Sequence, residues 1–203
     1  MPRVDNKKFY TSAIKKHGIT PKGLNWRSKK SQEIRFHAIL ELLPKNLESS
    51  TIVDAGCGFG DFYLYMQKRG KSAKNYIGID SLFDICSIAS KNTGCEIITT
   101  DITRSSLPKA SYYICSGAIN ILESFETHLF IRNCYEASEN GFIFNVLYGD
   151  KKSQTYNYMN LTQIESIASN LGVINLQIKD DYLEDDITVG FFKSHILKNG
   201  FSS

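Results

Sequence analysis

Residues 51–61 read Thr-Ile-Val-Asp-Ala-Gly-Cys-Gly-Phe-Gly-Asp, and this run constrains the fold more than any other. Three β-branched residues lead to Asp54, and glycines then fall at 56, 58 and 60. The start has the pattern of a short buried strand. The alternate glycines fit a strand-to-helix turn whose backbone lies against something. Without a Cβ, glycine adopts positive φ and lets a ligand touch the main chain. A helix from Asp61 to near Arg69 would present unpaired N–H groups at its start. A turn that bound nothing would gain little from three glycines, each of which costs backbone entropy.

Dinucleotide folds carry G-x-G-x-x-G, which would put the third glycine at 61, where this chain has Asp61. The run instead resembles the first motif of the class I methyltransferases that use S-adenosylmethionine, acid-x-Gly-x-Gly-x-Gly after the first strand. Asp54, Gly56, Gly58 and Gly60 match it position for position. The resemblance implies that the loop, Cys57 included, passes under the methionine part of the cofactor. It also implies that Asp54 orients the loop or reaches the methionine amine.

Two further acids strengthen the likeness. Tyr76-Ile-Gly-Ile-Asp80 reads as a second strand ending in a carboxylate, followed by Ser81. A carboxylate there can accept from both vicinal hydroxyls of a ribose. Dinucleotide folds place the same chemistry at a similar distance, so Asp80 indicates an adenosine ribose before it indicates one cofactor. Cys95-Glu-Ile-Ile-Thr-Thr-Asp101-Ile102 then reads as a third strand ending in an acid. In the family resembled, this acid accepts from the adenine amine and the next backbone N–H, here Ile102, bonds a ring nitrogen. Taken alone, Asp101 would read as a turn cap.

Upstream, Leu24-Asn-Trp26-Arg-Ser-Lys-Lys-Ser-Gln32-Glu-Ile-Arg35-Phe36 is similar to a W-x-S…S-Q-x-x-R-F signature found in a group of small class I methyltransferases. Related small-molecule N-methyltransferases place a Tyr, a Trp and an Arg around the methionine tail, roles that Tyr10, Trp26 and Arg35 would fill. An Arg fork suits a carboxylate, and an aromatic face suits a sulfonium. The bland alternative leaves Trp26 as an anchor for the connector and Arg35 on a solvated helix face.

Hydrophobic periodicity predicts helices over 5–16 and 31–43, the latter capped by Ser31 and stopped before Pro44. Strands are expected near 51–55, 75–79, 95–99, 111–115, 141–147, 173–179 and 186–193, with helices near 60–70, 82–92, 123–139 and 161–171. Regular βα alternation implies a mainly parallel sheet covered on both faces, with a ligand at the carboxyl ends of its strands. The Asp180–Asp185 link is too short for a crossover, so the last two strands should form an antiparallel hairpin. The expected fold is α/β, a three-layer Rossmann-like class I methyltransferase fold with a seven-stranded sheet and an antiparallel last strand. One domain is expected over 1–203, with 1–46 as a helical lid and 47–203 as the cofactor-binding core.

Charge is distributed unevenly. Residues 1–46 carry eleven Lys/Arg against three acids, a local net charge of +8 within a total of +3. Such a segment can steer an anionic substrate or nucleic acid, or be a solvated helical face. No RNA-binding signature accompanies it, so a nucleic-acid partner is possible but not favoured. Five cysteines without a C-x-x-C pair read as buried free thiols, from which a cytoplasmic location is expected. No metal site is expected, because His17, His37, His128 and His195 stand apart from each other and from the cysteines. The N-terminus has no apolar h-region and no run approaches a membrane span. Ser202-Ser203 reads as a frayed end.

The fourth strand ends in Ser116-Gly-Ala rather than the Asn/Asp-Pro-Pro-Tyr with which related enzymes hold a base or glutamine nitrogen. Ser116 is expected in the wall beside the methionine. Methyl transfer needs alignment and exclusion of water more than an obligatory base, and no catalytic residue is assigned. Tyr148 and Asp150, after the fifth strand, are candidate substrate contacts. The sequence thus points to an S-adenosylmethionine-dependent methyltransferase acting at N or O of a small molecule. An RNA methyltransferase and a cofactor-binding protein without turnover are the alternatives, and the oligomeric state is not readable.

Overall fold

The computed structural model describes residues 5–194, so His195 and the Ser202-Ser203 end lie outside the described residues. Its strands are β1 (Leu47–Ala55), β2 (Ala73–Asp80), β3 (Glu96–Thr99), β4 (Ala110–Ser116), β5 (Ser138–Tyr148), β6 (Tyr158–Met159), β7 (Asn175–Lys179) and β8 (Asp186–Phe192). They form one sheet in the order β3-β2-β1-β4-β5-β8-β7, with the short β6 added alongside β5. Pairings are parallel except those of β8, which runs antiparallel to both β5 and β7. The expected hairpin across Asp180–Asp185 is present. The two-residue β6 was not expected, being too short to leave a periodic signal.

Sequence alternation divides the core between two faces. In the central strands Ile52, Ile114 and Ile143 point to one side, and Val53, Tyr113 and Phe142 to the other. All six are buried, as a sheet covered on both faces requires. Helices α2 (Lys29–Leu42) and α3 (Asp61–Lys68) cover the first side through Phe36, Ile39, Phe62 and Met66. Helices α5 (Ser124–Ala137) and α6 (Leu161–Asn170) cover the second through Phe130, Ile131, Ile164 and Ile167. Helix α4 (Phe83–Thr93) lies between β2 and β3 in the chain.

Three boundaries move for local reasons. Helix α2 is capped at Ser28, not Ser31, and the two serines bond reciprocally in a capping box. Its first turn carries Lys29 and Lys30, which leave no apolar trace in the sequence. Strand β1 extends back to Leu47 through Glu48, Ser49 and Ser50, which are partly exposed. Helix α5 passes directly into β5 at Ser138, whose hydroxyl donates to the Tyr135 carbonyl at 2.7 Å.

Upstream of α2 the structure is thinner. Helix α1 (Asn6–His17), capped by Asp5, buries only Ala13. A 3-10 turn, Pro21–Leu24, packs against it, and Asn25 turns the chain at a left-handed φ of 61°. Within the segment expected as a lid, α2 packs into the core, whereas α1 and the 3-10 turn pack mainly on each other.

Candidate active site

The sheet winds outward from β1 in both directions, so β1 and β4 part at their carboxyl ends and open a crevice. A cavity of ≈ 320 Å³ fills it, within the range of small-molecule sites. Its floor is the loop after β1, with Gly56 and Gly58. Asp80 ends β2 and Ser81 follows it, Thr100 to Thr103 follow β3, and Ser116 ends β4 with Gly117 and Ala118 after it. Phe9, Tyr10, Leu24 and Trp26 come from above, and Leu147, Tyr156 and Tyr158 close the far side.

The glycine loop is tied to β2. The N–H groups of Gly56 and Cys57 both donate to the Ile79 carbonyl, and that of Gly58 donates to Asp80 Oδ2 at 3.2 Å. Gly58 has φ 55°, and a Cβ there would lie 2.6 Å from Leu24 Cδ1 in the space above the loop. Gly60 serves a different need. Its missing Cβ would strike Thr93 Cγ2 at the end of α4, so this glycine admits helix packing and does not border the cavity. It also starts α3 with no side-chain cap, leaving the helix N-terminus without a side-chain acceptor.

Three predicted residues, Asp54, Cys57 and Gly60, do not border the cavity. Asp54 is buried, accepts from the Tyr76 hydroxyl at 2.5 Å, and is pushed up to about 7 by burial. The Cys57 side chain turns down against Gly78, and burial raises its thiol. With Gly60, these residues shape the loop from outside the cavity wall.

Asp80 borders the cavity with each oxygen already accepting one backbone N–H, from Leu82 at 3.1 Å and Gly58. Burial pushes it up to about 6, opposed by those N–H groups. Each oxygen keeps a further lone pair, so the carboxylate can still accept two hydroxyls. Asp101 sits two residues beyond β3, not at the strand end. One oxygen there caps its own turn, accepting from the Thr103 N–H and hydroxyl, and Arg104 lies 3.5 Å from the other. Ile102 is buried beside it and its carbonyl accepts from Asn133 Nδ2 at 2.8 Å.

Tyr10, Trp26 and Arg35 all border the cavity. Burial raises the Tyr10 phenol. Trp26 stands edge-on to Phe36 and lies against Gly117, and the Arg35 guanidinium stacks 5.0 Å over its ring. Arg35, itself partly exposed, also forms an ion pair with the buried Asp186. Ser116 donates to Asn145 Oδ1 at 2.7 Å, and Asn145 Nδ2 donates to Thr188 Oγ1 at 2.6 Å. The Tyr182 hydroxyl lies 2.8 Å from Thr188 Oγ1 and 3.2 Å from Asp186 Oδ1. One buried polar chain thus joins Ser116 to Arg35 across β4, β5 and β8.

Tyr148 and Asp150 are not brought to the cavity. Tyr148 pairs its N–H with the Asp185 carbonyl, and Asp150 accepts from Asn160 Nδ2 at 2.7 Å. Tyr156 and Tyr158, further along the same connection, border the cavity instead. Asn120, also missed, borders the cavity and is 6% exposed. Among the described residues no group of three or more His, Cys, Asp and Glu could hold a metal ion. None of the described helices is long and apolar enough to cross a membrane.

Residues 52–141 match the family described as Methyltransferase domain. No protein of curated function matches the chain in sequence. Solved structures resemble it in fold. Magnesium protoporphyrin IX methyltransferase from Synechocystis PCC 6803, with S-adenosylhomocysteine bound, superposes at a TM-score of 0.68 and 12% identity, covering 93% of this chain and 94% of that one. A chain of the complex between the Haloferax volcanii Trm112 methyltransferase activator and a methyltransferase gives 0.69 and 13%, covering 93% and 97%. Human N-acetylserotonin methyltransferase gives 0.67 and 15%, covering 94% of this chain but 60% of its own. At such identities the likeness shows the fold, and the crevice at the strand ends is where that fold holds its ligand.

Proposed function

We propose that this chain, a member of the class I S-adenosylmethionine-dependent methyltransferases, transfers a methyl group to N or O of a small-molecule acceptor. The observation that carries this reading is the single cavity shared by the glycine loop, the Asp80 carboxylate and an aromatic-walled chamber. Gly56 and Gly58 would let the methionine part lie against the loop backbone, with Asp54, Cys57 and Gly60 holding that loop in shape. Asp80 would accept the ribose hydroxyls with Ser81 beside it, and Asp101 and the Ile102 N–H would meet the adenine edge. Ser116, Trp26, Tyr10 and Arg35 would surround the methionine tail.

S-adenosylmethionine supplies a methyl already activated on a sulfonium. Once bound, it would offer that methyl to the acceptor's lone pair while the sulfur–carbon electron pair stays with sulfur, and any proton on the acceptor would pass to solvent as the product leaves. The protein's share is alignment and exclusion of water. Phe9, Tyr10, Leu24 and Trp26 close the cavity from above, and the rings of Phe9, Tyr10 and Trp26 would favour a cation beneath them. The magnesium protoporphyrin and N-acetylserotonin enzymes act, by name, on small molecules, which supports the same class of acceptor here.

Asp80→Ala tests the reading. Hydrogen bonds to a charged carboxylate contribute roughly 1.5–3 kcal/mol each, so S-adenosylhomocysteine affinity should fall at least tenfold by calorimetry in a folded variant. In the wild type, affinity should be level above pH 6 and weaken as pH falls through about 6, where Asp80 takes up its proton. Unchanged affinity in the variant would sink the ribose assignment. Tight, steeply salt-dependent binding of RNA would favour an RNA acceptor instead.

A further inference from the structure

Asn120 lies in the short 3-10 turn after β4, four residues beyond Ser116. It is held at three points. Its backbone N–H donates to the Gly117 carbonyl, its carbonyl accepts from the Asn157 N–H at 2.7 Å, and its side-chain Oδ1 accepts from the Leu147 N–H at 3.1 Å. A backbone N–H can only donate, so the last contact fixes which end of the amide is oxygen. The Nδ2 group then has no partner among the described residues. A side chain 6% exposed, with two N–H donors unmet and a cavity beside it, is a polar group waiting for a ligand.

The same bonds define what surrounds it. The Asn157 contact stitches the connection carrying Tyr156 and Tyr158 onto this turn, and the Leu147 contact brings in the end of β5. Ile121, Leu122 and Phe130 complete an apolar, ring-bearing wall. Sites of this kind take flat apolar molecules and orient them through one or two polar groups. Asp80 ends β2 on one side of β1, whereas Asn120 follows β4 on the other side, with the glycine loop between them against Ala118; the β5 side of the crevice, beyond the loop, is where an acceptor would lie.

We infer that Asn120 is the anchor of the methyl acceptor, donating from Nδ2 to a lone pair on a flat, ring-bearing small molecule, an oxygen or an aromatic ring nitrogen. The inference rests on the methyltransferase reading above and deepens it. It makes Asn120 a specificity-determining residue for an acceptor that offers a hydrogen-bond acceptor beside its ring.

The decisive variant is Asn120→Asp. It keeps the oxygen that accepts from Leu147 and replaces only the free NH₂ with an oxygen that cannot donate when ionised, so binding is compared well above pH 7, clear of the range to which burial moves the carboxyls of Asp80 and Asp54. Acetophenone, an aromatic ketone, and benzylammonium, a donor-only ring of similar size, serve as probes on S-adenosylhomocysteine-saturated, ¹⁵N-labelled protein. In the wild type, acetophenone should shift the Asn120 side-chain NH₂ resonances saturably, and benzylammonium should leave them in place. In Asn120→Asp, S-adenosylhomocysteine affinity should hold within about twofold, while acetophenone should weaken at least tenfold, the usual penalty for an unmet polar contact. Benzylammonium should gain. If acetophenone fails to shift those resonances in the wild type, or binds the variant equally well, the inference is overturned. Failure of S-adenosylhomocysteine to bind the wild type would overturn the cofactor reading instead, a distinct outcome.

Discussion

Helices α1 and α2 are neighbours in the chain, 12 and 14 residues long, and drawn from the same basic segment, yet the structure uses them differently. Helix α2 opens on a reciprocal serine cap and buries Gln32, Phe36, Ala38 and Ile39 against the sheet. Helix α1 has a single Asp cap and buries Ala13 alone. What α1 does face is the cavity, through Asn6, Phe9 and Tyr10. A helix with little apolar anchorage gains most of its order from whatever lies under it, whereas one seated in a core does not. The comparison separates a structural helix from a conditional one within a segment that composition shows as uniform.

The difference can be broken most directly by stability. Ile39 is fully buried, so Ile39→Ala should lower unfolding free energy by about 2–5 kcal/mol in urea titrations. Phe9→Ala, on the partly exposed α1, should change it by less than about 1 kcal/mol. Comparable losses in both variants would mean that α1 is a core element too.

The sequence displayed one of these helices more clearly than the other. The periodic apolar residues of α2 are visible, but its true cap at Ser28 is not, because two lysines and a serine separate it from the first buried residue. The glycine loop and Asp80 were legible because their chemistry is local, within a few residues of a strand end. Asp101 was legible as a position, but its turn-capping bonds appear only in three dimensions. The Arg35–Asp186 pair, 151 residues apart, has no local signal at all. Neither does Asn120, whose significance is which of its two amide ends is taken. That Tyr156 and Tyr158, rather than Tyr148 and Asp150, line the cavity has a similar source. A connection after a strand can fold back, and its first residues need not face the crevice.

Hydrogen exchange sharpens the same contrast at intermediate size. If α1 and the following turn open as a unit that must release the cofactor, S-adenosylhomocysteine at a hundredfold over its Kd should slow exchange of residues 6–24 by about a hundredfold. Amides of α2 should already be protected without ligand, and change far less. Equal protection of residues 6–24 with and without ligand would remove the lid.

The smallest expected effect falls on the residue that links the two regions. Arg35 belongs to the anchored α2, yet its guanidinium borders the cavity, stacked on Trp26 and paired with Asp186. The pair fixes the fork's orientation, and Asp186 is in turn held through Tyr182 in the polar chain that reaches Ser116. A carboxylate on the methionine tail would find an Arg whose position α2 sets in advance, even while α1 is open. Arg35→Lys keeps the charge but loses the planar fork and its stacking, and the shorter set of donors cannot serve Asp186 and a ligand together. The expected result is a modest loss of S-adenosylhomocysteine affinity, about fivefold or roughly 1 kcal/mol, with little loss of stability. Truncating the ligand distinguishes the contact from general loosening. 5′-Methylthioadenosine lacks the amino-acid tail, so its affinity should be the same in the wild type and in Arg35→Lys. An equal drop for both ligands would make Arg35 a structural partner of Asp186 alone, and no change for either would remove it from the cofactor site.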